Sequence, residues 1–157
     1  MAAIFEEARG RRNKILLVGN GGSAAVASHV AVDLTKAADI RAVAFSDNSL
    51  LTCLANDYGY EHWVEKALEF YAEPGDVAVL ISSSGKSSNI VNGAIAAKAR
   101  GLHVVTLTGF DADNPLRKLG ELNLWVDSRS YNAVEMTHHI WLVAVVDKIF
   151  SDKGSRA

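Results

Sequence analysis

Segments of consecutive apolar residues, separated by helical segments, constrain the fold more than any other feature of this sequence. Residues 14–18 and 76–81 show no polar–apolar alternation, which is typical of strands buried on both faces. Strands of this kind that alternate with helices form a parallel sheet covered on both sides. The sequence therefore predicts an α/β, doubly wound, five-stranded parallel sheet flanked by helices, of the flavodoxin-like type.

The predicted elements follow one another with short turns between them. Strands are predicted at residues 14–18, 41–45, 76–81, 104–107 and 122–126. Helices are predicted at residues 2–12, 24–36, 61–71 and 131–150, with a short helix at 115–119. A further helix is predicted from the serine-rich loop to residue 100. A further helical region after the second strand extends to Ala55, followed by the dipeptide Asn56-Asp57.

Size and charge narrow the functional classes. The chain has 157 residues, 49% of them hydrophobic and 22% charged, which predicts one domain over residues 1–157 with its core at about 14–150. The net charge is −2, and the 16 basic and 18 acidic residues are interspersed. This balance indicates neither nucleic acid nor a membrane as a partner.

The cysteine count and the apolar segments predict a cytoplasmic protein. Cys53 is the single cysteine, which excludes an intramolecular disulfide and fits a reducing compartment. Its apolar neighbours predict a core position. The longest apolar segment, residues 140–146, is far shorter than the roughly 20 residues that span a bilayer, and no leader pattern follows Met1.

Two polar turns are predicted at the same edge of the sheet, where ligands bind in doubly wound folds. The glycine turn (residues 19–23) follows the first strand, and the serine loop (residues 82–88) follows the third. Hydroxyls and free amides at a helix start bind phosphate, although an ordinary capping loop has a similar composition. A nucleotide P-loop is excluded because Leu80 stands where that motif requires glycine.

The glycine turn also matches a dinucleotide-binding fingerprint loosely. Gly19, Gly21 and Ala24 have its spacing, and Asp47 could bind the ribose. Such a protein would not need the serine loop, which a sugar phosphate would. Nicotinamide binding is therefore the weaker hypothesis.

Titratable pairs on two helices could carry the chemistry. His29 and Asp33 are four residues apart, Glu135 and His138 three apart, and His139 four from Glu135, so each pair shares a helix face. On facing helices they could bind a divalent metal such as zinc, or act as base and acid without metal. Ordinary surface pairs are the alternative.

Four ordered motifs resemble a known family. Residues 19–23 followed by His29, then residues 56–59, 81–87 and 106–109, are similar to the motifs of SIS-domain sugar-phosphate isomerases. The likeness is greatest to the phosphoheptose isomerases, which interconvert sedoheptulose 7-phosphate and D-glycero-manno-heptose 7-phosphate in bacterial heptose and cell-surface polysaccharide synthesis. It covers about residues 14–150.

The resemblance implies the residues that hold the substrate. Substrate contacts fall on Asn20, Gly21, Gly22, Asn56 and Asp57, and phosphate contacts on Ser82, Ser83, Ser84 and Ser87. Lys86 stands where the family usually has asparagine, and this lysine is expected to add a cation beside the phosphate.

The resemblance also implies the catalytic groups. The family's general base falls on Asp33, a shorter carboxylate than the family's glutamate. Its acid histidine falls on Val143, so His138 or His139 would replace it. One zinc ion per subunit would be bound by His29, Asp33, Glu135 and His138, with no nucleotide cofactor.

Members of the family assemble as tetramers, so a homotetramer is expected. The alternative function is a non-catalytic SIS-domain regulator or scaffold that binds a sugar phosphate, such as a protein associating with a replication initiator.

Overall fold

The computed structural model describes residues 1–154 and contains a five-stranded sheet in which every strand pair is parallel. The strands are β1 (Ile15–Gly19), β2 (Ala42–Ala44), β3 (Val77–Ser82), β4 (His103–Thr108) and β5 (Leu122–Trp125). Their order in the sheet is β2-β1-β3-β4-β5. This order and the parallel pairing confirm the predicted doubly wound fold.

The helices are placed on both faces of the sheet. They are α1 (Ala2–Gly10), α2 (Gly22–Lys36), α3 (Asn48–Tyr58), α4 (Trp63–Tyr71), α5 (Ser88–Ala99) and α6 (Tyr131–Gly154), with a single 3₁₀ turn at Leu116–Lys118. Among the described helices none is long and apolar enough to cross a membrane.

Two hydrophobic clusters fix the sheet between the helices. On one face, Phe5 of α1, Leu34 of α2 and Leu142 of α6 pack with the sheet in one buried cluster. On the other face, Trp63 of α4 and Ile90 of α5 belong to a second cluster. β1 and β3 are buried along their whole length, and residues 15–18 and 77–81 carry apolar side chains on both faces, as their sequences predicted.

Three local predictions were wrong. Asn56-Asp57 does not separate two helices but lies inside α3. The predicted helix at 115–119 is only the 3₁₀ turn, and Cys53 is exposed rather than in the core. Cys53 lies on the outer surface of α3, where its Sγ atom is 3.7 Å from Asp57 Oδ2, so its apolar neighbours did not determine its burial.

Asp76 holds the amino end of β3, at the edge of the sheet opposite the two polar turns. Its side chain is fully buried, accepts hydrogen bonds from the Lys14 and Glu73 amides, and lies 2.6 Å from Lys14 Nζ. Burial by itself would raise the pKa of Asp76, but the hydrogen bonds from Lys14, Glu73 and Asn13 hold this pKa below its ordinary value.

Replacing Asp76 by Asn is expected to lower the free energy of unfolding by about 3 kcal/mol, since it leaves the Lys14 ammonium without its buried partner. Because the pKa of Asp76 is lowered by folding, its contribution is present above about pH 4 and is lost as pH falls through the folded-state pKa. Urea unfolding at several pH values measures both effects. Glu121→Gln, at an exposed pair with His103, is the control and should cost under about 0.5 kcal/mol. Equal losses in the two variants would contradict a structural role for Asp76.

Candidate functional site

The glycine turn and the serine loop lie side by side at the carboxyl edge of the sheet. β1 and β3 are neighbours, with Gly19 paired to Ile81, and the strand order reverses between them. A small, open cavity of about 100 Å³ lies there. It is lined by Asn20, Ser23, Ile81, Ser82, Ser83, Ser84, Ser87, Tyr131 and Glu135. The structure thus brings Asn20 and all four predicted phosphate-binding serines to one cavity.

A glycine with positive φ shapes the serine loop. Gly85 has φ +62°, and its amide donates to the Ser82 carbonyl oxygen at 3.0 Å. A β-carbon at Gly85 would overlap the side chain of Asn114, which is buried and accepts a hydrogen bond from the Arg117 amide at 2.9 Å. Only glycine therefore fits both the conformation and the space.

The serine hydroxyls are not used up by capping. Ser87 is the N-cap of α5, yet its hydroxyl makes no capping hydrogen bond and lies 3.2 Å from Ser82 Oγ. Ser83 Oγ is buried without a hydrogen-bond partner in the described part of the chain. The first amides of α5 have no acceptor within the helix. These groups form a set of donors that suits the oxygens of a phosphate.

The sequence predicted a Lys86 cation beside the phosphate, but Lys86 does not line the cavity. Its ammonium is 2.7 Å from Asp111 Oδ2, and the same carboxylate contacts Arg129. The hydrogen bond from Lys86, together with the charge of Arg129, lowers the pKa of Asp111. The charge of Lys86 is therefore already paired, outside the cavity.

Two asparagines join the two turns. Asn20 Nδ2 donates to Asn89 Oδ1 at 3.0 Å, and Asn89 Nδ2 donates to Asn20 Oδ1 at 2.9 Å. Asn89 is 1% exposed, and the Tyr60 hydroxyl also donates to Asn20 Oδ1. The Asn20 amide, predicted to contact substrate, thus positions the glycine turn against α5. Sequence reasoning missed Asn89, whose only signal was an amide on the first turn after the serine loop.

Four predicted substrate residues do not line the cavity. Gly21 is the N-cap of α2 with φ +55°, and Gly22 lies under the Glu135 carboxylate. Asn56 and Asp57 are exposed on α3 and bond to each other at 2.9 Å. Within one chain, α3 presents these two side chains to solvent rather than to the serine loop.

The candidate ribose acid of the dinucleotide hypothesis has a local role. Asp47 accepts a hydrogen bond from the Leu50 amide at 2.9 Å as the N-cap of α3. Helix capping accounts for an aspartate at this position.

His29, Asp33 and His139 form a hydrogen-bonded chain between α2 and α6. His29 Nε2 lies 3.2 Å from Asp33 Oδ2, and His29 Nδ1 lies 2.7 Å from His139 Nε2. A carboxylate only accepts, so His29 donates from Nε2, and His139 donates to its Nδ1. None of these three side chains lines the cavity, but His139 is one helical turn from Glu135, which does line it.

His138 faces the interior and does not take part in these hydrogen bonds. It is fully buried, and its Nε2 donates to the Thr108 carbonyl oxygen at 3.0 Å. Burial lowers the pKa of His138, which keeps the ring neutral. Of the two predicted acid histidines, only His139 therefore lies where it can meet other titratable groups.

The predicted metal set is not assembled within one chain. Among residues 1–154 no group of three or more His, Cys, Asp or Glu side chains could hold a metal ion. His29 uses one ring nitrogen for Asp33 and the other for His139, while His138 points into the core. Glu135 lies apart from them, in the cavity.

The chain matches the SIS-domain family over residues 1–109. Phosphoheptose isomerase from Sulfurimonas denitrificans is 37% identical over 149 residues, which cover 88% of this chain and 76% of that protein. A probable phosphoheptose isomerase from Thermoplasma acidophilum is 35% identical over 147 residues, covering 90% of this chain and 80% of that protein.

A solved structure extends the similarity to the whole fold. Phosphoheptose isomerase GmhA from Neisseria gonorrhoeae superposes with a TM-score of 0.88 at 36% identity. The match covers 94% of this chain and 82% of that one.

Removing the amide that joins the turns is expected to weaken phosphate binding. Asn89→Ala deletes two hydrogen bonds and leaves Asn20 Nδ2 without its acceptor, although Tyr60 still donates to Asn20 Oδ1. The affinity for inorganic phosphate should fall about tenfold. Titration followed by NMR measures the affinity. The control is Asn92→Ala, on the same helix as Asn89, which removes an exposed hydrogen bond to the Glu61 carbonyl oxygen. It should leave the phosphate affinity within about twofold of wild type. An unchanged affinity in Asn89→Ala would show that the amide pair does not position the site.

Proposed function

Since the chain belongs to the SIS-domain family, we propose that it is a sugar-phosphate aldose–ketose isomerase that interconverts sedoheptulose 7-phosphate and D-glycero-manno-heptose 7-phosphate. The observation that carries this function is the serine-lined cavity at the switch point of the sheet, in a chain 35–44% identical to phosphoheptose isomerases. The reaction belongs to heptose biosynthesis. The comparisons do not favour the alternative of a non-catalytic regulator.

The phosphate would be bound by the serine loop. Hydroxyls of Ser82, Ser84 and Ser87 and the first amides of α5 supply donors to its oxygens. Binding this remote group orients the reacting carbons and contributes to the rate without taking part in the chemistry. The sugar would extend from the serine loop over the glycine turn.

Isomerisation requires a proton to move between adjacent carbons and protons to move on their oxygens. The assignment of Asp33 as the carbon base remains a prediction from the resemblance. In the structure, Asp33 lies behind His29, where it orients that ring. His139 lies one helical turn from Glu135 and is the better placed of the two histidines to act as the acid on a sugar oxygen.

One zinc ion per subunit also remains a prediction. His29 Nδ1 and His139 Nε2 face each other and are the pair that would hold it, with Asp33 orienting His29. A bound zinc would polarise a carbonyl as a Lewis acid, in place of proton donation by His139. Two nitrogens are fewer than the three protein ligands of catalytic zinc sites, so a further ligand would come from a second subunit.

A homo-oligomer, for which the resemblance implies four subunits, is part of the proposal. On α6, Met136 and Ile140 are four residues apart and 53% and 63% exposed. An apolar stripe of this kind on a soluble chain favours a protein interface. A second copy of the chain would cover it. The cytoplasmic location remains a prediction from the sequence.

The purified protein is expected to convert sedoheptulose 7-phosphate to the aldose, followed by NMR. Replacing Ser84 and Ser87 together by Ala should raise KM at least tenfold, since two donors to the phosphate are lost. A matched variant of two exposed hydroxyls elsewhere, Ser49→Ala with Thr52→Ala on α3, should leave KM unchanged. A wild-type protein without turnover would contradict the isomerase function, and an unchanged KM in the serine variant would contradict the phosphate assignment.

Charge on the α6 stripe should break the oligomer. Ile140→Glu places a carboxylate in the proposed interface, and light scattering after size-exclusion chromatography should show a smaller assembly than the wild type. Phe150→Glu, at an exposed position near the end of α6, compares the effect of charge outside the stripe. A monomeric wild type at micromolar concentration would contradict the proposed assembly.

A further inference from the structure

A second cleft lies at the amino edge of the sheet, at the opposite end of the strands from the serine loop. It is formed by the turn that joins α1 to β1 and the turn that joins α2 to β2. The two turns are neighbours because β1 and β2 pair in parallel, with Ile15 beside Ala42. This arginine cleft has a volume of about 320 Å³ and is lined by Arg9, Arg12, Asn13, Asp39 and Arg41. None of the groups assigned to the sugar phosphate lies in it.

Positive charge is concentrated in the arginine cleft. Three guanidinium groups line it, against the carboxylate of Asp39 in the lining and that of Glu6, which lies 3.5 Å from Arg9. One positive charge is left when both carboxylates are counted, although the whole chain has a net charge of −2. A concave surface with an excess of one sign of charge attracts ligands of the opposite sign. The cleft therefore favours an anion.

Hydrogen bonds to the backbone fix two of the guanidinium groups. Arg41 Nη1 donates to the Arg12 carbonyl oxygen at 2.7 Å, and Arg9 Nη1 donates to the Ala38 carbonyl oxygen at 3.3 Å. Each bond joins one turn to the other and uses one of the five N–H groups of its guanidinium. A carboxylate partner in the usual paired geometry engages two more. Each of these side chains therefore keeps N–H donors for a ligand.

The backbone has an uncommon conformation in both turns of the cleft. Among residues 1–154 three non-glycine residues have positive φ, and two of them, Arg12 at +63° and Asp39 at +56°, line the cleft. A left-handed backbone costs free energy in a residue with a β-carbon, and such residues are concentrated at ligand sites. The strain is thus placed where the guanidinium groups meet.

Stabilisation of helix ends is the alternative role for these arginines. α1 and α2 both end at this edge of the sheet, and cations interact favourably with the carboxyl end of a helix. This role explains the bonds of Arg9 and Arg41 to backbone carbonyl oxygens. It does not require three guanidinium groups to converge on one cleft, because like charges repel one another there. A bound anion would offset that repulsion.

We propose that the arginine cleft binds a small oligophosphate, a ligand with two or more linked phosphate groups, at a site separate from the serine-lined cavity. Guanidinium groups bind phosphate oxygens through paired hydrogen bonds, and three of them suit more than one phosphate. The cleft has about three times the volume of the serine-lined cavity, which gives room for linked phosphates. None of its five lining residues is aromatic, so a nucleotide base would find no ring to stack on. The phosphates alone are recognised, whether inorganic or esterified.

Titration of the ¹⁵N-labelled protein with inorganic pyrophosphate, followed by NMR, tests the proposal. Amide signals of residues 9–13 and 37–41 should shift and saturate with a dissociation constant below about 1 mM at low salt, and binding should weaken as salt is added. Arg12→Gln with Arg41→Gln should raise this constant about tenfold, since charge-assisted hydrogen bonds are lost. ADP should bind within about threefold of pyrophosphate, because its base adds no stacking contact.

The matched control is Arg100→Gln with Arg117→Gln. It removes the same charge from two guanidinium groups that each donate to a backbone carbonyl oxygen outside the cleft. The affinity for pyrophosphate should stay within about twofold of wild type, since distant surface charges are screened. Arg12→Gln alone keeps both backbone bonds across the cleft and should still weaken binding, so it replaces the double variant if thermal unfolding shows that the latter does not fold.

A folded wild type without saturable shifts at residues 9–13 and 37–41 would overturn the proposal and leave helix-end stabilisation as the role of these arginines. Equal losses of affinity in the cleft variant and the control would overturn it as well, since binding would then follow net charge. ADP binding more than tenfold tighter than pyrophosphate would overturn recognition by the phosphates alone. None of these outcomes depends on turnover of a sugar phosphate, so the isomerase function is tested separately.

Discussion

The parallel pairing of β1 with β3 is the constraint on which the rest of the site depends. It places Gly19 beside Ile81, so the glycine turn and the serine loop leave the sheet as neighbours. Apolar burial on both faces of these strands stabilises the pairing, and the reciprocal hydrogen bonds between Asn20 and Asn89 hold the two turns together above it. Without this adjacency the serine hydroxyls and the Glu135 carboxylate would not share a cavity.

The features that the sequence predicts well are local or periodic. Residues 15–18 and 77–81 are apolar at every position, which is the pattern of a strand buried on both faces. The serine loop is recognisable because a buried strand leads into three serines, a glycine, a lysine and a further serine, directly before a helix. Both signals depend on neighbours along the chain, and both were confirmed in the fold.

The features that the sequence does not predict depend on the direction of a side chain around its helix axis or on partners that are distant along the chain. His138 and His139 are adjacent, but successive residues on a helix point about 100° apart, so one enters the core and the other meets His29. The sequence pattern allowed either. Lys86 is drawn from the cavity by Asp111, which lies 25 residues further along the chain, and no local pattern indicates that pair.

We propose that the two turns hold the two ends of one phosphorylated sugar. It is tested most directly by a crystal structure of the protein with the reduced, unreactive alditol of sedoheptulose 7-phosphate. We expect the phosphate within hydrogen-bonding distance of Ser84, Ser87 and the first amides of α5, and the rest of the sugar over the glycine turn. A phosphate bound beside Lys86 and Arg129 instead, with the cavity between the turns empty, would contradict it.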